Sequence, residues 1–318
     1  MKVLDALLLD YYICPRTRQA LRQSGEFLVI PDGTQRYPIT NGIPRIFSKP
    51  DDLTQWNDEN WGFKWEQSVS ILEHQKKAFW DYMLVLKTPE FFKDKVVLEA
   101  CCGAGVPARE IAGAGAKLVI GFDISRAVDV AQAHSGGYPA LHFVQTDIYD
   151  MPFRADSVDV VVCTAALHHV PDPKSAFQRL LQPLKPGGTL IIWVYSFEGT
   201  GTARLLVDPV RKVARRLPKP LLKALMWSAA LPLWFVSRLY KRLGWLPWSK
   251  RLPLYDYMLY LNAFPLGKLY EIVLDMWVSP MTHWIKREEV EDWFGGRIEN
   301  VEIKPILNRN WGAYGTLK

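Results

Sequence analysis

Cysteine is scarce in this chain, and what it has is badly placed for cross-linking. The four thiols, Cys14, Cys101, Cys102 and Cys163, lie among 318 residues without the spacing of a disulfide framework. Nor do they supply the paired ligands of a zinc site, so the reading predicts no metal centre and a reducing, cytoplasmic setting. The first 13 residues are apolar but are interrupted by Asp5 and Asp10. They lack the uninterrupted stretch of a signal peptide, and no export is expected. The apolar run at 224–237 is broken by Pro232 and falls short of the roughly twenty residues that a membrane-spanning helix needs. Acid is nearly absent from 204–251, which holds twelve lysines and arginines against the single Asp208; that segment is +11 and the rest of the chain −5. What is present in quantity is apolar surface: a hydrophobic content of 49% is enough to bury a full core and excludes a disordered chain.

The most telling stretch is Val96-Val97-Leu98-Glu99-Ala100-Cys101-Cys102-Gly103-Ala104-Gly105, followed by Gly121-Phe122-Asp123. It reads as a buried parallel strand, a glycine turn, a helix opening near Pro107, and a second strand ending in an acid. Such a turn brings backbone close to a nucleotide-like ligand. Glu99 decides which kind. A pyrophosphate over this turn would be repelled by a carboxylate at the strand tip, whereas a cationic sulfonium would be favoured. The loose dinucleotide pattern Gly103-Ala104-Gly105-Val106-Pro107-Ala108 keeps a nicotinamide-dependent oxidoreductase as the rival.

Strand and helix signals then alternate: strands at 96–100, 117–122, 141–145, 158–163 and 189–195, with helices at 106–113, 125–134 and 173–182. The alternation predicts an α/β fold with a parallel sheet covered on both faces. Its strand tips gather on one edge, carrying Glu99, Asp123, Asp147 and Thr164. Five segments are expected. Residues 1–48 form a small β-rich module, and 49–92 a helical, aromatic-rich stretch whose Trp61, Phe63 and Trp65 either pack or act as a lid. Residues 93–198 are the ligand-binding core, 199–281 a basic helical insertion, and 282–318 a closing helix and two strands.

Cys14-Pro15-Arg16-Thr17, with Tyr37-Pro38-Ile39 and Gly42-Ile43-Pro44, resembles the zinc-ribbon-like partner domain of many methyltransferases, with Thr17 standing where a second cysteine should fall. The glycine turn with Glu99, the strand-tip Asp123, Gln145-Thr146-Asp147-Ile148, the run Asp159 through Pro171, and Lys185-Pro186-Gly187-Gly188 together resemble the class I S-adenosylmethionine-dependent methyltransferases over 93–195. Cys101 departs from the pattern, occupying the place of the first turn glycine.

The resemblance implies a doubly wound, mostly parallel seven-stranded sheet, Rossmann-like, with the N-terminal module added and the helical insertion placed before the last strands. It implies S-adenosylmethionine as cofactor, contacted by Glu99, Cys101, Gly103, Gly105, Asp123, Ile124, Asp147, Ile148 and Thr164. Asp123 would take the ribose hydroxyls, Asp147 the adenine amino group with Ile148 against the ring, and the two glycines the methionine part. Candidate bases are His168, His169 and His283, with Tyr195 a further one. The basic, tryptophan-bearing segment 204–251 reads either as a cap over a hydrophobic acceptor or as a peripheral contact with an anionic membrane. Both readings favour a small or lipid-like acceptor, methylated at oxygen ahead of carbon or nitrogen; nucleic acid ranks below them, and a non-catalytic binding protein remains open.

Overall fold

The computed structural model describes Leu4 and residues 6–48, 79, 80, 84, 87–214, 217–279 and 281–318. The expected lid residues Trp61, Phe63 and Trp65 lie outside these. The chain divides into two compact units, one of 1–196, 283–306 and 310–318, the other of 197–282 and 307–309.

The first unit opens with one helical turn, α1 (Ala6–Leu9), and four short strands: β1 (Arg22–Ser24), β2 (Phe27–Val29), β3 (Arg36–Thr40) and β4 (Ile43–Ile46). Its core alternates β5 (Val96–Ala100), α2 (Val106–Gly113), β6 (Leu118–Asp123), α3 (Ala127–Ala133), β7 (Leu141–Thr146), β8 (Val158–Thr164), α4 (Pro173–Leu180) and β9 (Leu184–Tyr195). The second unit contributes α5 (Gly201–Ala214), α6 (Lys219–Leu243), α7 (Tyr255–Asn262) and α8 (Leu266–Val278). The chain then returns through α9 (Arg287–Phe294), β10 (Ile298–Ile306) and β11 (Asn310–Leu317).

The core strands run in the order β7-β6-β5-β8-β9-β11-β10, with β11 antiparallel to both of its neighbours. The chain builds outward from β5 to β7 and then restarts at β8 on the other side of β5, so the switch point lies between β5 and β8. Every residue of β5 and β6 is buried because helices cover both faces. Val96, Leu98 and Ala100 join a cluster with Phe177, Leu180, Val290 and Phe294. Val97 points the other way, into a cluster with Ala108, Ile111, Val128 and Ala131. By strand alternation Glu99 shares that second face, the one covered by α2 and α3.

Two expectations change. The N-terminal strands do not form a separate module: β4 pairs in parallel with β7, Ile46 opposite Thr146, and extends the sheet to eleven strands. The Arg45 guanidinium spans the junction, donating to Gln145 Oε1 at 2.9 Å and pairing with Asp129. Tyr12, Leu28 and Tyr37 belong to the same hydrophobic cluster as β5. The fifth core strand also begins at Leu184 rather than 189, because Pro186-Gly187-Gly188 is carried inside β9 as an irregularity opposite Val158 and Val160.

The second unit packs around Ala214, Leu222, Met226, Ala230, Val273 and Leu274. Leu221, Leu225, Leu231, Phe235 and Leu239 remain exposed along one side of α6. Among the described residues no helix is long and apolar enough to cross a membrane.

Candidate functional site

The turn after β5 has the backbone of a glycine loop, although it contains one non-glycine where the resemblance expects glycine. Cys101, Gly103 and Gly105 have φ of 55°, 52° and 70°, all left-handed. For Cys101 this costs about 1–2 kcal/mol, which surrounding hydrogen bonds must offset. The Cys102 amide donates to Phe122 O at 2.9 Å, the Gly105 amide to Cys102 O at 2.9 Å, and the Gly103 amide to Asp123 Oδ2 at 2.9 Å.

These bonds revise the roles given to the two glycines, whose amides are engaged within the chain. A Cβ at Gly105 would lie 2.8 Å from Phe143 Cζ and 2.9 Å from Ala131 Cβ. Glycine at 105 is therefore demanded by packing of the turn onto β7 and α3, and offers no extra room to a ligand on that side.

Glu99 is 2% exposed, and its Oε2 has no hydrogen-bond partner among the described residues. Burial pushes its carboxyl well above the usual carboxylate range; the Ala108 amide and the Arg109 charge oppose this, while Asp123 reinforces it. Burial thus favours the neutral acid, and a cation brought beside the orphaned oxygen would favour the ionised form. Asp123, at the tip of β6, also receives the Ser125 amide at 2.9 Å and the Ser125 hydroxyl at 2.7 Å on Oδ1. It thus braces the glycine turn and the start of the next segment together.

Asp147 follows β7 and caps a short 3-10 turn, accepting from the Tyr149 amide at 2.9 Å. Ile148 is buried in the main hydrophobic cluster rather than presented at the surface as a flat contact for a ring. Ile124 is half-buried, with its carbonyl taken by Gln145 Nε2 at 2.9 Å, and Thr164 closes β8 nearly buried. The sheet places Glu99, Asp123, Asp147 and Thr164 at the C-terminal ends of four parallel strands, as the alternation requires.

The three histidines separate by environment. His168 is 0% exposed; its Nδ1 accepts from the Tyr195 amide at 3.3 Å and its carbonyl accepts from the His283 amide at 2.8 Å. With Nδ1 an acceptor, the neutral ring carries its proton on Nε2. It ties together the segment after β8, the end of β9 and the segment entering α9. His169 is half-buried, and His283 Nε2 is buried with no hydrogen-bond partner among the described residues.

Around them stands an aromatic group that sequence reasoning largely missed. Tyr195 stacks on His168 with centroids 3.8 Å apart and on Trp284 at 5.6 Å, and Trp193 meets Tyr195 edge-on at 5.6 Å. Trp193 Nε1 is buried without a partner among the described residues. The available signal was the period-two spacing of Trp193 and Tyr195, which puts both on one side of β9, and the adjacency of Trp284 to His283.

Residues 98–192 match the family described as a methyltransferase domain. The chain is 31% identical over 100 residues to a demethylmenaquinone methyltransferase of Clavibacter sepedonicus, covering 31% of this chain and 41% of that protein. It is 36% identical over 106 residues to a ubiquinone biosynthesis O-methyltransferase of Haemophilus ducreyi, covering 31% of this chain and 44% of the other. The chain thus spans less than half the length of these relatives. A solved S-adenosylmethionine-dependent methyltransferase from Mesorhizobium loti aligns at 25% identity over 37% of this chain and 54% of that one, with a TM-score of 0.34. Residues 98–192 of this chain, from within β5 to within β9, thus match a methyltransferase domain.

Proposed function

We propose that the chain transfers a methyl group from S-adenosylmethionine to a small, hydrophobic, ring-bearing acceptor, at oxygen in preference to carbon or nitrogen. The observation that carries this reading is the orphaned, buried Glu99 carboxyl beside a left-handed glycine turn. When bound, the cofactor supplies an electrophilic methyl on a sulfonium. Glu99 compensates the positive charge, Asp123 is assigned to the ribose hydroxyls and Asp147 to the adenine amino group. The part of this chain would be to hold donor and acceptor in line and to take the proton that an acceptor hydroxyl gives up. His169 and His283 remain the candidates, with His168 positioning them through its ties to Tyr195 and His283. Trp193, Tyr195 and Trp284 supply flat apolar surface suited to an aromatic acceptor, and the named activities of the relatives on quinone precursors support the same class.

The reading extends to a cytoplasmic protein that meets an anionic membrane peripherally. It rests on the exposed apolar side of α6 and the lysines and arginines near it. Nucleic acid as acceptor has no comparable support, because the same helix side is apolar.

Calorimetric titration tests the cofactor assignment. S-adenosylmethionine and S-adenosylhomocysteine should bind, and NADH should not. In Glu99→Gln S-adenosylmethionine should lose affinity by about tenfold, or about 1.4 kcal/mol, while S-adenosylhomocysteine, a zwitterion without the sulfonium charge, loses much less. Stability provides a second readout. Because the folded carboxyl is raised above its unfolded value, the folded chain holds a proton that the unfolded chain releases, so stability falls as pH rises from the ordinary carboxylate range toward the raised value. Glu99→Gln should flatten that slope and unfold at a higher temperature than the parent at neutral pH. An unchanged ratio of the two affinities in the variant, or tight NADH binding by the parent, would remove the basis for the assignment.

A further inference from the structure

The second unit contains a cleft lined by Lys250, Asp256, Tyr257, Asn308 and Arg309. Arg309 is 8% exposed, and among the described residues no ion pair or hydrogen bond satisfies its guanidinium. Its guanidinium carbon lies 3.9 Å from the centroid of the Tyr257 ring. A ring face attracts the cation but accepts none of the five N–H donors, which lie in the guanidinium plane. The residue is largely buried while its N–H groups are left to solvent in the cleft, where an anion could take them.

The backbone around Arg309 is set by packing. Leu307 and Asn308 are both left-handed at φ 51°, and a Cβ at Gly199 would fall 1.8 Å from the Asn308 carbonyl oxygen. The turn 307–309 is therefore seated on Gly199, which fixes where the Arg309 side chain starts. Lys250, exposed on the short 3-10 turn Pro247–Arg251, lines the same cleft. Asp256 also lines it but forms an ion pair with neither cation.

We propose that this cleft binds a phosphoryl group, with the Arg309 guanidinium taking two of its oxygens and the Lys250 ammonium a third. A planar fork and a point charge placed on separate elements suit a tetrahedral anion, which presents oxygens in several directions. The unit around the cleft carries fourteen lysines and arginines against five acids, so its field draws anions toward it. The phosphoryl group can be that of a phospholipid headgroup or a free phosphate. The proposal is independent of the methyl-transfer reading, whose outcome is read by titrating S-adenosylhomocysteine into the parent chain.

The test uses the full chain with two probes: inorganic phosphate, and phosphatidylcholine vesicles with or without phosphatidylglycerol. Arg309→Gln and Lys250→Gln are compared with Arg251→Gln, an exposed cation outside the cleft, and with Arg309→Lys, which keeps the charge. Phosphate affinity lost by about tenfold or more in Arg309→Gln and kept in Arg251→Gln supports the site with free phosphate as its occupant. Sedimentation with phosphatidylglycerol vesicles alone, lowered more by Arg309→Gln and Lys250→Gln than by Arg251→Gln, supports it with a lipid headgroup. Far-UV circular dichroism checks each fold, and Lys250→Gln, at an exposed position, carries the test if Arg309→Gln does not fold. Absence of binding to both probes, or equal losses in the cleft variants and Arg251→Gln, overturns the proposal.

Discussion

Asp123→Ala should lower the affinity for S-adenosylhomocysteine by about 100-fold. A hydrogen bond to a charged group is worth about 1.5–3 kcal/mol, and two ribose hydroxyls on one carboxylate together reach the roughly 3 kcal/mol that this factor represents. The same carboxylate holds the Gly103 and Ser125 amides, so the variant also loses support for the turn itself. Asp123→Asn separates shape from charge. Each oxygen of the aspartate faces a backbone donor, and an asparagine can offer only one acceptor, so one N–H is left against an amide N–H. The expected outcome is a folded Asn variant, destabilised by about 1–3 kcal/mol, with cofactor affinity reduced nearly as far as in the Ala variant. Calorimetry beside a denaturant curve measures both quantities. Parental affinity in Asp123→Ala would show that the ribose is held elsewhere and would return this acid to the role of a brace.

Gly105→Ala should destabilise the fold by about 2–5 kcal/mol. About 1–2 kcal/mol comes from placing a side chain at φ 70°, and about 1–3 kcal/mol from forcing a methyl against Phe143 and Ala131. Gly121 is subject to the same ring, since a Cβ there would lie 2.7 Å from Phe143 Cε1. Phe143 is thus the residue that requires glycine at both places. Phe143→Leu will itself leave a cavity and cost stability, but in the double variant the share of the Gly105→Ala penalty that comes from the ring should be relieved, while the Ala131 contact and the backbone part stay. Urea denaturation of the four proteins measures the coupling, expected at about 1–2 kcal/mol. Full additivity, or a Gly105→Ala protein as stable as its parent, would show that the turn relaxes away from β7.

The two variants probe opposite sides of one loop. Asp123 bonds the turn at the Gly103 amide, and Phe143 fixes its inner side. A loss of cofactor binding with intact stability and a loss of stability with intact binding are therefore separable outcomes at neighbouring positions.

Much of the core was legible because it obeys short-range rules. The strand Val96–Ala100 and helix Val106–Gly113 were readable from an apolar run interrupted only by Glu99, two glycines and an early proline, all within eighteen residues. The start of β9 was misread because Pro-Gly-Gly ordinarily ends a strand, whereas here pairing of Leu184 with Val158 carries the strand through it. The histidine pair was located but not sorted. Only packing of β9 and the approach to α9 shows that His168 is sealed beneath Tyr195 while His169 is not.

By itself the sequence determined the alternation of strands and helices, the glycine turn with an acid on each flanking strand, and the charged helical segment, because each depends on backbone preferences and spacings that act over a few residues. Tertiary structure alone decided that the N-terminal strands extend the sheet through β4, that Glu99 keeps an orphaned oxygen, and that Arg309 reaches a cleft beside Lys250. These outcomes join residues 50 to 100 positions apart, or depend on what fails to approach, and burial and hydrogen bonding settle them only when the whole chain is packed.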